Sequence, residues 1–353
     1  MAGGVGSRFW PISTQKVPKQ FLDILNTGRS LLQLTYDRVS KIVEPENILV
    51  VTNAEYADLV ATHLPELPQH NILLEPVRRN TAPCIAYSAF KISNRDTDAA
   101  MVITPSDHLI TNEKAYLATL KKALQLACDN DYLITLGITP SRPETGYGYI
   151  QYKHDELPAD PELKKVKTFT EKPDVAHAQA FLDSGDFLWN SGVFIWNVKS
   201  CLAGFEKHVP DVFETFKDGN SVYDTADEAT FINTIYPQCE NVSIDYALME
   251  KAKNVYVLPA NFGWSDLGTW SSVQEQLKLD EAGNGIIGKK VLLYDTKNTL
   301  VVSSGNKAIV AEGLDGYVIA EGEKAIIIYP KDKEQNIKQV VNDVRLKWGE
   351  EHA

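Results

Sequence analysis

The chain has 353 residues, 44% of them hydrophobic and 23% charged, enough for one large α/β domain and a smaller appendage. Its net charge is −12 and no block of Lys and Arg is dense enough to follow a nucleic-acid backbone, which excludes nucleic acid as a partner. An anionic small substrate would need local cations or a metal against that field.

In chain order, MAGGVGSRFW (1–10) opens with a glycine-rich turn that has almost nothing ahead of it. Four apolar runs are predicted strands: ENILVVTN (46–53), NILLEP (71–76), AAMVITPSDH (99–108) and YLITLGITP (132–140). Ala82–Asn94 and Glu113–Cys128 have helical spacing between them. That alternation predicts βαβ units and a mostly parallel sheet, with ligands beyond the carboxyl ends of the strands. From Gly146 onward GYGYIQY, LKKVKTFTEKP and FLWNSGVFIW read as strands, and Asp174–Asp183 as a helix. A strand at Val255–Phe262 then runs into GWSDLGTW.

After Gly283 the pattern changes to short strands broken by Gly, Asn and Asp: GKKVLLYD, NTLVVSS, KAIVAEG, DGYVIAEG and EKAIIIYP. Their near-regular spacing predicts a small β-rich domain resembling a short β-helix, closed by a helix from Glu334 to Trp348. Two domains are therefore expected, 1–283 and 284–353, and the second offers no residue that attaches to chemistry. The four cysteines, Cys84, Cys128, Cys201 and Cys239, have neither metal-ligand nor disulfide spacing and are expected as buried free thiols. With no apolar run of ~18 residues and no leader, the expected location is the cytoplasm, with no membrane partner.

Backbone amides in a turn such as Ala2-Gly3-Gly4-Val5-Gly6-Ser7 can converge on phosphate oxygens, since missing Cβ atoms allow close approach. The turn lacks GK[ST], so it is not a P-loop, and an ordinary tight turn is the competing reading. Arg8 and Lys19 strengthen the phosphate reading as cations near the cradle, although each alone could be a solvated surface charge. Asp107, ending MVITPSD, and Asp266, in GWSD, are candidate ligands of a hard divalent cation, or else helix caps. Glu171 and Lys172 could form a plain strand-end ion pair. Tyr147, Trp189 and Trp196 could line a pocket or belong to the core.

Eight stretches resemble, in order, the nucleotide-sugar pyrophosphorylases, and among them the mannose-1-phosphate guanylyltransferases. They are GGVGSRFWPISTQKVPKQFL, EPVRRNTAPCIA, PSDHLI, LGITPSRPETGYGYI, FTEKPD, WNSGVFIW, SIDYALMEK and GWSDLGTW, which together span about residues 1–280. The resemblance implies a Rossmann-like nucleotidyltransferase domain with a mixed, mostly parallel central sheet. It implies transfer of GMP from GTP to mannose 1-phosphate with release of pyrophosphate, and a requirement for Mg²⁺. It puts Ala2, Gly3, Gly4, Gly6, Ser7, Glu75, Asn80 and Thr81 on the nucleotide, and Asp107 and Asp266 on the metal. Arg8, Lys19 and Lys172 would be catalytic, Lys172 facing the sugar phosphate, with Gly146, Glu171 and Asn190 around the sugar.

Glu75 and Asn80 both qualify for the base, because a carboxylate can accept from guanine N1 and N2 together. His108 is expected to be structural or supporting, since a phosphate monoester attacks already ionised at pH 7. A pyrophosphorylase for another hexose or nucleotide, and a regulatory homologue without turnover, are the alternatives. The chain also departs from the family. Relatives carry an apolar strand of the form VILAGG where only Met1-Ala2 stand here, so either translation starts upstream or the chain is a shortened product; the upstream start is the expectation, with the chemistry belonging to that longer form. Longer relatives add a fused isomerase domain; with only residues 284–353 after the boundary, a single activity is expected, and because the apolar strands of that segment need a covering surface it is expected to contribute to a homodimer.

Overall fold

The computed structural model describes residues 1–4, 6–154, 160–219, 221–303, 305 and 307–353. Contacts divide the chain into two compact units. One comprises Met1–Gly3, Asp37–Pro105 and Ile110–Trp264; the other comprises Gly4–Tyr36, Ser106–Leu109 and Ser265–Ala353.

The first unit holds a six-stranded sheet in the order Ala100–Ile103, Phe187–Asn197, Leu133–Ile138, Val255–Ala260, Lys164–Glu171 and Gly148–Tyr152. The strand Phe187–Asn197 is long enough to pair with three others, because its first half also borders Gly148–Tyr152. The α/β class and the mixed sheet are as expected, but the share of parallel pairing is not. Within this sheet only Leu133–Ile138 with Val255–Ala260 runs parallel, and the other ladders are antiparallel. Apolar runs buried on both faces look alike whichever way their neighbours point, so periodicity identified the strands without their directions.

A second parallel pair, Val50–Asn53 with Ile72–Glu75, forms a separate two-stranded sheet. Beside it the Ala2 amide donates to the Val51 carbonyl at 2.8 Å, and Thr52 Oγ1 donates to the Ala2 carbonyl at 2.9 Å.

Helices in this unit follow their sequence signals closely. Asn112 Oδ1 accepts from the Ala115 amide at 3.1 Å and starts Glu113–Asp129, whose Tyr116, Leu120, Ala123 and Ala127 are buried at helical spacing. Each large apolar side chain so buried contributes ~1.5–3 kcal/mol. Thr81–Arg95 begins at the cap Asn80 and buries Ala82, Ile85, Ala86, Ala89 and Phe90. Tyr147, Trp189 and Trp196 are core residues, Tyr147 meeting Trp189 edge-on at 5.1 Å between ring centres. Cys84, Cys201 and Cys239 are buried free thiols, whereas Cys128 is exposed. Cys128 lies near the end of Glu113–Asp129, beyond the last buried position of that helix.

The second unit contains the expected β-rich segment. Leu300–Ser303 pairs in parallel with Gly285–Ile287 and with Tyr317–Glu321, and Val291–Tyr294 pairs in parallel with Ile309–Glu312. Val291 lies opposite Ile309 and Leu300 opposite Val318, each eighteen residues on, which is the stacking of successive coils. The antiparallel strand Ile326–Pro330 closes the stack, and the helix Ile337–Trp348 follows. Leu300, Val302, Val318, Ile337 and Val341 pack in one core with Phe9, Trp10 and Trp270.

Candidate active site

In the second unit, Gly6, Ser7, Arg8, Lys19, Asp107 and Asp266 line one cavity of about 350 Å³. Gly6 sits at φ +70°, where a side chain is strained, and a Cβ there would lie 2.4 Å from Lys19 Cβ. The glycine therefore gives both the turn into the short helix Ser7–Phe9 and room for Lys19. Gly4 meets no such neighbour, and Val5 lies outside the described residues.

Lys19 is 4% exposed, and its Nζ donates to Asp107 Oδ2 at 3.1 Å and to the Asp266 carbonyl at 2.6 Å. Burial pushes the Asp107 carboxyl up, but the Lys19 ammonium and His108 outweigh it and hold the group below the ordinary carboxylate range. Asp107 is thus ionised at neutral pH. His108 Nε2 lies 3.9 Å from Asp107 Oδ1, in keeping with a supporting part. The Arg8 Nε is buried with no hydrogen-bond partner among the described residues, a donor that an anionic ligand in the cavity would satisfy.

Asp266 is not the helix cap. Thr269 caps the helix Trp270–Gln274 by a reciprocal bond pair with Ser272, while Asp266 Oδ1 accepts from the Gly268 amide at 2.8 Å. Between them Leu267, buried, is held at φ +44°, a costly conformation for so bulky a residue and one that concentrates at functional turns. No group of three or more His, Cys, Asp or Glu is arranged to hold a metal among the described residues. Two aspartates in one cavity fit a Mg²⁺ site all the same, because that ion is bound through one or two carboxylates, with phosphate and water completing its shell.

In the first unit the nucleotide candidates gather at the end of Ile72–Glu75. Glu75 is buried and accepts from the Tyr236 hydroxyl, and burial raises its carboxyl despite that bond. A Cβ on Gly3 would come within 3.4 Å of Glu75 Oε2. Asn80, at φ +65°, accepts from the Thr81 amide at 2.9 Å, and Thr81 Oγ1 accepts from the Ile244 amide at 2.8 Å.

The sugar candidates lie on adjacent strands of the same unit. Glu171 ends its strand opposite Gly148, and Lys172 follows at φ +50° with Nζ 2.7 Å from Glu171 Oε1, so the ion pair does form. Asn190 Nδ2 donates to Asp245 Oδ1 at 2.7 Å and its Oδ1 accepts from the Gly192 amide at 3.1 Å. A Cβ on Gly148 would strike Glu171 Oε2 at 2.5 Å and meet Asn190 Cβ at 3.4 Å. Gly146, the expected glycine, instead donates its amide to Glu144 Oε1 at 3.0 Å.

Two residues here escaped the sequence reading. Gly148 was legible from strand alternation, once its pairing with Glu171 was known. Asp245 stands in the quoted SIDYALMEK stretch, in a π-helical turn, Asp245–Met249, and burial and the Glu171 charge raise its carboxyl.

Another cavity, of about 640 Å³, also belongs to the first unit and holds none of the expected residues. Its charged wall is already internally paired. Lys91 Nζ lies 2.7 Å from Asp224 Oδ1 and 2.6 Å from Glu228 Oε2, and Arg95 grips Asp224 through two bonds.

Residues 1–283 match the family described as nucleotidyl transferase. The chain belongs to this family. Among curated relatives, a mannose-1-phosphate guanylyltransferase of Klebsiella pneumoniae is 37% identical over 346 residues, covering 97% of this nucleotidyl transferase and 72% of that protein. An alginate biosynthesis protein AlgA of Pseudomonas syringae is also 37% identical, over 97% of this chain and 70% of its own. In solved structures, a mannose-1-phosphate geranyltransferase from Thermus thermophilus superposes on the nucleotidyl transferase with TM-score 0.88 and 28% identity, covering 98% of each chain.

Proposed function

We propose that this nucleotidyl transferase moves GMP from GTP to α-D-mannose 1-phosphate, giving GDP-mannose and pyrophosphate. The observation that carries the proposal is one cavity holding an orphaned Arg8 donor, a buried Lys19 and two aspartates. Two relatives at 36–37% identity, named mannose-1-phosphate guanylyltransferase, supply the substrates.

Arg8 and the amides from Gly6 on would grip the triphosphate, and Lys19 holds Asp107 ionised and the Asp266 turn in place. Asp107 and Asp266 would hold Mg²⁺, which when bound neutralises the triphosphate and polarises the α-phosphorus. Glu75 and Asn80 are the residues proposed to read guanine. Lys172 would draw in the sugar phosphate and Glu171 accept from sugar hydroxyls, with Asn190 oriented by Asp245. The attacking phosphate is already ionised, so no side chain need remove a proton. The test is pyrophosphate release across a matrix of nucleoside triphosphates and hexose 1-phosphates. GTP with mannose 1-phosphate should lead; preference for UTP or dTTP, or for another hexose, would overturn the assignment.

Lys172→Ala should weaken mannose 1-phosphate binding about tenfold and leave GTP binding within about twofold, since a charge-assisted contact is worth ~1.5 kcal/mol at a site this open to water. Separate titrations check it, and an effect confined to GTP would reverse the assignment.

A cytoplasmic location is part of the same proposal, supported by the free thiols and by no helix, among the described residues, being long and apolar enough to cross a membrane. So is a homodimer. Leu292 and Val310, 57% and 62% exposed, stand side by side in register on the β-rich segment, an apolar surface a second copy could cover. Sedimentation should show a dimer that Leu292→Asp with Val310→Asp converts to monomer; a dimer of unchanged strength would count against that face.

A further inference from the structure

The residues after 283 were expected to carry no chemistry, yet one of them, Lys338, lines the cavity with Arg8, Lys19, Asp107 and Asp266. We propose that Lys338 is a polyphosphate-binding residue, delivered to the phosphate cavity by the C-terminal helix. This rests on reading that cavity as the triphosphate site.

Charge is the first argument. Of the Arg, Lys and Asp side chains that line the cavity, Arg8 and Lys19 match Asp107 and Asp266 one for one, so without Lys338 the protein's own groups leave no surplus positive charge for an incoming polyanion in a chain of net charge −12. Lys338 shifts the balance of cations over carboxylates in the cavity to positive.

Placement is the second argument. The helix Ile337–Trp348 is anchored by buried Ile337, Val341 and Val344, in the same core as Phe9 of the phosphate turn. The chain end is tied to that turn as well, the Trp10 indole donating to the His352 carbonyl at 2.9 Å. A Cβ on Gly322 would strike the Pro11 carbonyl oxygen at 2.4 Å, so the β-rich segment also packs closely against the residues that follow the turn. Lys338 itself is exposed, on the flank of a fixed helix, and a neighbouring cavity of about 270 Å³ shares Lys338 and Ser7 as lining. A long, flexible side chain at a rigid position suits a group that closes on phosphate oxygens when they arrive.

The test uses the full chain and calorimetric titration with inorganic tripolyphosphate, GTP and GMP. Lys338→Ala should weaken tripolyphosphate and GTP about tenfold and GMP less than twofold, with an unchanged melting temperature. Lys338→Arg should stay within about threefold of the parent. Lys347→Ala, which removes an equal charge from the same helix outside the cavity lining, should change nothing. If Lys338→Ala binds tripolyphosphate as the parent does, or Lys347→Ala loses as much, the inference fails while the site reading stands. A parent that binds neither tripolyphosphate nor GTP would overturn both.

Discussion

Asp107→Asn and Asp266→Asn are each expected to lower turnover about a hundredfold, equivalent to ~3 kcal/mol of lost transition-state stabilisation, and to raise the Mg²⁺ concentration needed for half-maximal rate. Asparagine keeps the shape but removes a negative oxygen ligand, and Mg²⁺ tolerates little deviation from octahedral oxygen coordination. Stability should barely change at 266, because an Asn side-chain oxygen can still accept from the Gly268 amide and Thr269 caps the helix independently. At 107 the ion pair with Lys19 is lost, so a modest fall in folding stability, of the order of 1 kcal/mol, is expected as well. Near-parental rates in both variants, with no change in Mg²⁺ requirement, would remove these residues from the active site.

Lys91→Met is expected to cost ~3–5 kcal/mol of folding stability, the range for removing one partner of a buried ion pair. The Lys91 side chain is 3% exposed and holds Asp224 and Glu228, while Glu228 also takes the Tyr87 hydroxyl at 2.6 Å. Without the ammonium, Glu228 loses the cation it touches, and Arg95, which is bonded to Asp224, is left as a more distant positive charge. The pH dependence should change too. Arg95 hydrogen bonds, against opposing burial and with help from Lys91, hold the Asp224 carboxyl well below its unfolded value of about 3.9. A folded value below the unfolded one means stability that is full above the unfolded pKa and is lost as pH falls. Parent stability should therefore decline on acidification below about pH 4, and Lys91→Met should decline less steeply. Denaturant melts at pH 7 and at pH 3 check both; a loss under ~1 kcal/mol at pH 7 would mean the network behaves like surface charge.

Much of this was legible in the sequence, for identifiable reasons. Strand and helix positions follow apolar spacing and short caps such as Asn112 and Asp174, which act through neighbouring residues alone. Strand direction did not follow, because the antiparallel course of Phe187–Asn197 is decided by pairing with residues about sixty and ninety positions away. In the site, Arg8, Lys19, Asp107 and Asp266 were individually ambiguous between surface charge, cap and ligand. One cavity now holds all four, and Thr269 takes the cap that Asp266 could have been. The place of Gly148 beside Glu171 and that of Lys338 in the cavity lining were missed because both depend on what lies across a strand pairing or a helix packing, which local patterns do not encode. Glu171 and Lys172 form the ion pair that was the plainer reading, and Lys172 does so at a left-handed φ that a solvated surface lysine would not need.

The central claim is that the turn around Gly6 and its cations bind the triphosphate. It is tested most directly at Arg8, whose buried Nε has no partner among the described residues. GTP and GMP are titrated separately into the parent and into Arg8→Ala, with melting temperature as the check on folding. The expected result is a loss of GTP affinity of ten- to a hundredfold, from ~1.5–3 kcal/mol for a charge-assisted contact, with GMP changed far less. GTP bound equally well by a folded Arg8→Ala would contradict it.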